Sequence, residues 1–304
     1  MREPFLDRVK DLAEAREKYY GLLGWERPAF PDAELPDPRT YVDNNEEAII
    51  QIAQALNGEK SQIILIYADA GIGKSCFRRE MVTELEKDSE IREKFKFIVV
   101  DDPGRYTDLQ LLRLVGDDLG IDFGSKWNNR EAVVSMILQE IYELSATKGM
   151  QTLVVVDEAQ KLSIPNLDTL KQFSDIEYGG RKACKIILLA TNEIFRRLSI
   201  PTMEPLVDRI LIKYLLKGFD FKETAEFVAR WIAFAKGEEY KEISGTTIYP
   251  FTPEAIETIH RLSKGHPRTV RKLCALSIDI RIESPGGDLS ITPEIVEVAM
   301  QRLI

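Results

Sequence analysis

The chain has 304 residues, 44% of them hydrophobic and 30% charged, with a net charge of −9. That length and balance describe an ordinary globular protein with room for two domains and a full core, and no apolar stretch approaches a membrane span. The acidic balance argues against a broad basic surface for nucleic acid, but leaves a narrow basic track open.

Residues 5–23 show helical spacing with many charges. Residues 24–42 read as an irregular arm, because Pro28, Pro31, Pro36 and Pro38 prevent a helix there. Asp43 is expected to cap a helix over roughly 44–57. Strands and helices then alternate. Strands are expected over 62–67, 96–101, 152–157, 185–191 and 210–215, with helices from 74, near 107–119, over 129–147 and over 165–177. Such alternation predicts an α/β fold, a parallel sheet with helices on both faces. From about 219 only helices follow, over 220–236, 253–264, 267–282 and 293–303. Thr252-Pro253-Glu254 and Thr292-Pro293-Glu294 each read as a cap, a proline at the first helical position and an acid in the first turn. Residues 237–247 and Pro285-Gly286-Gly287 read as loops. The expected organisation is an N-terminal helix and proline-rich arm (1–43), an α/β nucleotide domain (44–218) and a small all-helical lid (219–304).

The apolar run Ile63–Tyr67 feeds Ala68-Asp69-Ala70-Gly71-Ile72-Gly73-Lys74-Ser75. A strand, a glycine-bearing loop and a helix opening on Lys-Ser build a cradle for a triphosphate. Backbone N–H groups and the positive helix end face the phosphates. Lys74 can reach the β/γ-phosphates and the Ser75 hydroxyl can hold Mg²⁺. The motif G-x-x-x-x-G-K-[ST] is met except at its first position. There Ala68 stands for Gly, and Ala disfavours a positive φ, so the start of the loop is expected to differ slightly. Cys76 closes the cradle stretch, its thiol reading as a small core side chain.

The second apolar run, Gln151–Val156, ends in Asp157-Glu158. A continuous run of this kind suits a buried parallel strand, and acids at its C-terminal end fall where open α/β sheets bind ligands. Asp157 is assigned to Mg²⁺, usually through water, and Glu158 to the water that attacks the γ-phosphate. The third run, Lys185–Ala190, leads into Thr191-Asn192-Glu193. Thr191 or Asn192 can orient that water and sense the γ-phosphate; equally, either residue type suits a helix cap. Arg209 precedes the last strand and reads either as an arginine finger given to a neighbouring subunit or as an ion pair with Asp208 or Glu204. Arg268, in Gly265-His266-Pro267-Arg268, reads as a reporter of bound phosphate or as a solvated first-turn arginine. Helix N-termini disfavour cations. Lys126-Trp127-Asn128-Asn129-Arg130 mixes cations, amides and an aromatic. Lys126 and Arg130 are candidates for DNA, against a solvated turn with one packed tryptophan.

Cys76, Cys184 and Cys274 form no metal spacing and no even disulfide set, and Met1-Arg2-Glu3-Pro4 lacks a signal-peptide core. Both observations fit a reducing cytoplasm. With only His260 and His266, a zinc site is not expected.

Together these residues resemble an AAA+ ATPase of the ExeA/TnsC (TniB-like) group, related to the origin-recognition initiator ATPases. The resemblance runs over nearly the whole chain. Tyr19-Tyr20-Gly21-Leu22, Pro36-Asp37-Pro38-Arg39, Tyr41 and Glu47-Ala48 are similar to its start, and Leu153–Leu162 to its acidic strand-end signature. Phe251–Ala255, Ile259–Ser263 and Gly265–Arg268 are similar to its lid. The resemblance implies a sheet order of 5-1-4-3-2, ATP with Mg²⁺ held between subunits of a homo-oligomeric ring or spiral, and the roles given above. Ala68 departs from the pattern, and Thr191-Asn192-Glu193 stands where ExeA members carry Gln-Pro-Glu. With no membrane span, no peptidoglycan-binding appendage and no winged helix expected, the resemblance implies a stand-alone module of the TnsC/TniB kind. Such a module assembles on double-stranded DNA without sequence preference and acts on a transposase. A protein-only cytoplasmic switch in secretion, signalling or defence, and a low-turnover nucleotide-dependent scaffold, remain as alternatives.

Overall fold

The computed structural model describes residues 5–32, 37–58, 63–240, 247–284 and 288–303. Pro36, Gln62, Pro285-Gly286-Gly287 and residues 241–246 of the expected loop over 237–247 lie outside the described residues. Two compact units emerge. One comprises Asn45–Ala70 and Lys74–Leu216, the other Met1–Asn44, Gly71–Gly73 and Lys217–Ile304.

The first unit is built on β1 (Ile63–Tyr67), β2 (Phe95–Val100), β3 (Gln151–Val156), the two-residue strands β4 (Glu177–Tyr178) and β5 (Arg181–Lys182), β6 (Cys184–Ala190) and β7 (Ile210–Leu215). The main sheet is parallel and runs β2-β3-β6-β1-β7. Counting its five strands in chain order, that is the 5-1-4-3-2 arrangement. The α/β expectation holds for a physical reason: β1 is apolar throughout, β3 and β6 carry the apolar runs Leu153–Val156 and Ile186–Ala190, and both faces of each run are buried. Ile63, Leu65, Val154, Ile186 and Leu188 pack in one core with residues of the helices Asp108–Leu119, Arg130–Lys148 and Ile164–Asp175.

Two local readings are corrected. The helix Glu46–Asn57 is preceded by Asn45 as its cap residue rather than by Asp43, and Asn45 makes no side-chain capping bond. The sequence also hides the antiparallel β4–β5 hairpin, which turns on Gly179 and Gly180 at φ 59° and 81°. Strands of two residues carry no periodicity to read, while paired glycines at positive φ supply the turn.

Lys185 is a cation inside the sheet. Its Nζ donates to the carbonyls of Ala55, Leu56 and Gly58 at 2.7, 2.8 and 2.5 Å, closing the C-terminal end of the helix Glu46–Asn57. Burial pulls its pKa down to about 8, while three acceptors and a helix C-terminus favour the ammonium. Lys185→Met should therefore destabilise this unit by about 1–3 kcal/mol, the cost of leaving buried carbonyls unpaired. Urea melts at neutral pH check this; an unchanged midpoint would remove the lysine from the stability account.

The second unit joins the N-terminal helix Phe5–Leu23 to the helices Phe221–Ala235, Pro253–Ser263, Pro267–Glu283 and Pro293–Leu303. Phe30, from the arm, lies 5.8 Å from Trp231 and 6.1 Å from Phe251 by ring centroid. The chain enters the helix Pro267–Glu283 through Lys264 and Gly265, at φ 52° and 71°. A Cβ at Gly265 would meet the Phe219 carbonyl oxygen at 2.0 Å, so only glycine permits this crossing.

Candidate nucleotide site

The C-terminal ends of β1, β3 and β6 lie side by side, with Tyr67 opposite Ala190 and Val156 opposite Leu188. Lys74 and Ser75 follow β1, Asp157 and Glu158 follow β3, and Thr191 and Asn192 follow β6. Gly71 and Gly73 take φ 89° and 100° in the loop after β1, and the helix Lys74–Lys87 follows. Ala68 does not need glycine. It is not among the described residues at positive φ; it is fully buried, and its N–H donates to Ala190 O at 3.2 Å. That bond lies just past the end of β1.

Lys74 is buried, and its Nζ donates to the carbonyls of Ala68 (3.1 Å) and Asp69 (3.0 Å), so the loop closes on its own lysine. Asn192 Nδ2 donates to Asp69 Oδ1 at 2.5 Å, joining the β6 end to the loop. The Ser75 hydroxyl stands near the Asp157 carboxylate and favours its ionised form. Burial raises the Asp157 carboxyl above its ordinary range, against the nearby Ser75 hydroxyl, the Glu158 N–H at 2.8 Å and the nearby Arg78. Arg78 Nε is 3.5 Å from Asp157 and its Nη2 is 2.9 Å from Asp101, at the end of β2. A cation beside Asp157 favours its ionised form.

Glu158 sits at φ 51°, left-handed backbone that an L side chain rarely adopts. Its Oε2 accepts from Gln160 Nε2 at 2.9 Å and lies 3.4 Å from Lys161 Nζ, which also contacts Asp102 at 3.2 Å. Gln160 Oε1 accepts the Thr191 N–H at 3.0 Å. Thr191 Oγ1 is buried without a hydrogen-bond partner. The cap residue of the following helix Ile194–Leu198 is Glu193, without a side-chain cap bond, so neither Thr191 nor Asn192 serves as its cap.

Elsewhere, Arg209 forms neither of the ion pairs anticipated from its neighbours. Its Nε and Nη2 grip Asp175 at 2.6 and 3.0 Å, and its Nη1 donates to Pro205 O at 2.5 Å. In the second unit the Arg268 N–H donates to Gly71 O at 3.2 Å. A Cβ at Gly71 would approach the Arg268 Cβ to 3.1 Å. Lys126 is exposed in a short turn. Arg130 is instead committed to the helix Ile164–Asp175, donating to Pro165 O (2.9 Å) and Thr169 Oγ1 (2.8 Å). Trp127 is 53% exposed rather than packed, and Arg113 stacks on it at 4.3 Å. Cys76 is half-buried behind Ser75.

Sequence reading missed Gln160, Arg78, Arg113 and Asp175. Only Gln160 left a local signal, an amide two residues after the strand-end acid. Among the described residues no group of three His, Cys, Asp or Glu side chains could hold a metal. One hydroxyl and one carboxylate, Ser75 and Asp157, form an all-oxygen pair that suits Mg²⁺ shared with phosphates. No helix among the described residues is long and apolar enough to cross a membrane.

Residues 57–198 match the sequence family described as AAA domain. The chain is similar to general secretion pathway protein A of Aeromonas hydrophila, at 23% identity over 259 residues, covering 84% of this chain and 43% of that protein. It thus spans less than half the length of that relative. The ORC2 protein of Aeropyrum pernix, in its ADPNP-ADP complexes, is similar with a TM-score of 0.60 at 18% identity, over 91% of this chain and 71% of that one. The ORC1 protein of Aeropyrum pernix, in complex with DNA, gives 0.56 at 17% identity, over 90% and 68%. Residues 57–198 thus match an AAA domain, and the α/β chain with its five-stranded parallel sheet has the AAA+ fold of the ORC proteins.

Proposed function

We propose that the chain is a cytoplasmic ATP hydrolase that assembles with ATP into a homo-oligomer on DNA and passes that state to a transposase. The observation that carries the ATPase reading is the buried Lys74, its Nζ held by the Ala68 and Asp69 carbonyls after β1, with Asp157 and Glu158 at the end of β3 in the same sheet. In this reading Lys74 exchanges the Ala68 and Asp69 carbonyls for the β/γ-phosphates. Ser75 and Asp157 would hold Mg²⁺, whose charge would neutralise that of the phosphates. Glu158 takes a proton from the water whose oxygen bonds to the γ-phosphorus, as the bond to the β-phosphate oxygen breaks and ADP leaves. Asn192, tied to Asp69, senses the γ-phosphate. Residues 44–218 form the ATPase domain and residues 219–304 the lid, with Arg268 as its phosphate reporter.

The test is Lys74→Ala. ATP should raise the melting temperature of the wild type, as any ligand selective for the folded state does. It should leave the melting temperature of Lys74→Ala unchanged. Undiminished ATP affinity in the variant would place the nucleotide elsewhere.

The DNA role is supported by the likeness to an ORC1 protein in complex with DNA. The similarity to general secretion pathway protein A favours a second reading, a switch that engages only protein. Gel-shift titration of duplex DNA with ATP, ADP and no nucleotide separates them. ATP-dependent binding that ignores sequence and weakens as salt rises supports the first. No binding at low salt with ATP leaves the second. With Arg130 committed to Pro165 and Thr169, Lys126→Ala alone should lower the salt slope by about 1.

A further inference from the structure

Gln160 lies in the short turn Ala159–Lys161, two residues past Glu158, and is buried. Both ends of its amide are engaged. Nε2 donates to Glu158 Oε2 and Oε1 accepts from Thr191 N–H, at 2.9 and 3.0 Å. The partners belong to the ends of different strands, β3 and β6. Flipping the amide would set its NH₂ against an N–H and its carbonyl against a carboxylate, so only one orientation is permitted. The other group near Glu158 Oε2 is Lys161, which stands farther off, is partly exposed and is shared with Asp102. Asn192, next to Thr191, holds Asp69 of the phosphate loop. Glu158, Gln160, Thr191, Asn192 and Asp69 thus form one connected set across three strand ends.

We infer that Gln160 is a positioning residue for hydrolysis. It fixes one oxygen of Glu158, leaves the other for water, and ties the carboxylate to the segment that senses the γ-phosphate. This rests on the assignment of Glu158 as the base. The role is a matter of orientation, so its loss should act on the chemical step and not on ATP binding.

Two variants separate orientation from packing. Gln160→Met keeps a side chain of similar length without polar atoms. Gln160→Glu keeps an acceptor for the Thr191 N–H but loses the donor to Glu158. Steady-state hydrolysis and ATP affinity are measured for both, for Glu158→Gln and for the Glu158→Gln/Gln160→Met double variant. A displacement near 1 Å costs roughly 10²-fold, so kcat should fall about 10- to 100-fold in both single variants. KM and ATP affinity should stay near wild type, and Gln160→Met should add no further loss to Glu158→Gln. Normal kcat in Gln160→Glu, a fall in kcat matched by weaker ATP binding, or full additivity in the double variant overturns the inference. Hydrolysis that ignores Glu158→Gln overturns the assignment of the base itself, which is a different result.

Discussion

Glu158→Gln is expected to bind ATP as the wild type does and to hydrolyse it about 10²–10⁴-fold more slowly, the contribution of a positioned general base. The substitution is nearly isosteric. Its amide oxygen can still accept from Gln160 Nε2, so the backbone and the strand-end network have no reason to move. What is lost is the capacity to take a proton from water. Asp157, the preceding residue, and Ser75, in the helix Lys74–Lys87, remain as they are. The variant should therefore accumulate in the ATP-bound form and hold any ATP-dependent assembly. Phosphate release together with light scattering in ATP measures both effects. Near-normal turnover would remove Glu158 from the chemistry.

The second large effect is expected at Arg209. A guanidinium supplied to a neighbouring subunit's γ-phosphate is worth roughly 10³–10⁵ in rate in other phosphoryl-transfer systems. In this structure the same guanidinium is gripped by Asp175 and by the Pro205 carbonyl. To act on a neighbour it must leave Asp175, and the pair is partly exposed, so leaving costs only about 0–1 kcal/mol. Arg209→Ala should thus lose hydrolysis while keeping ATP affinity, and Asp175→Ala should keep both. Mixing Arg209→Ala with Glu158→Gln should restore some activity, since some interfaces then carry both wild-type groups. Equal effects of Arg209→Ala and Asp175→Ala on melting, with hydrolysis intact in each, would make Arg209 a structural partner and nothing more.

The fold was legible where side chains act through their neighbours in sequence. The apolar runs at β1, β3 and β6 announce buried parallel strands, and the residues just past them, Ala68–Ser75, Asp157-Glu158 and Thr191-Asn192, fall at one edge as a consequence of parallel pairing. The sheet order itself came from family likeness, because strand length and composition do not distinguish a central strand from its neighbour. Pairings over distance left no local mark. Asp175 is 34 residues from Arg209, and Thr169 is 39 from Arg130. A cation in an exposed-looking stretch reads the same whether it faces water or a helix. Ala68 shows the opposite limit: a motif position is defined by a residue type, whereas the structure asks only for a backbone conformation that alanine supplies.

The backbone at Glu158 carries a consequence beyond catalysis. Among the described residues only Glu158 and Lys264 hold a positive φ without being glycine, and left-handed geometry costs an ordinary L residue about 1–2 kcal/mol. Glycine or asparagine would adopt it more easily. Variation that favours heat resistance alone therefore pulls this position away from glutamate. A library ranked by survival at high temperature would enrich well-folded molecules that have lost their chemistry, and only a joint screen for turnover would keep the acid in place.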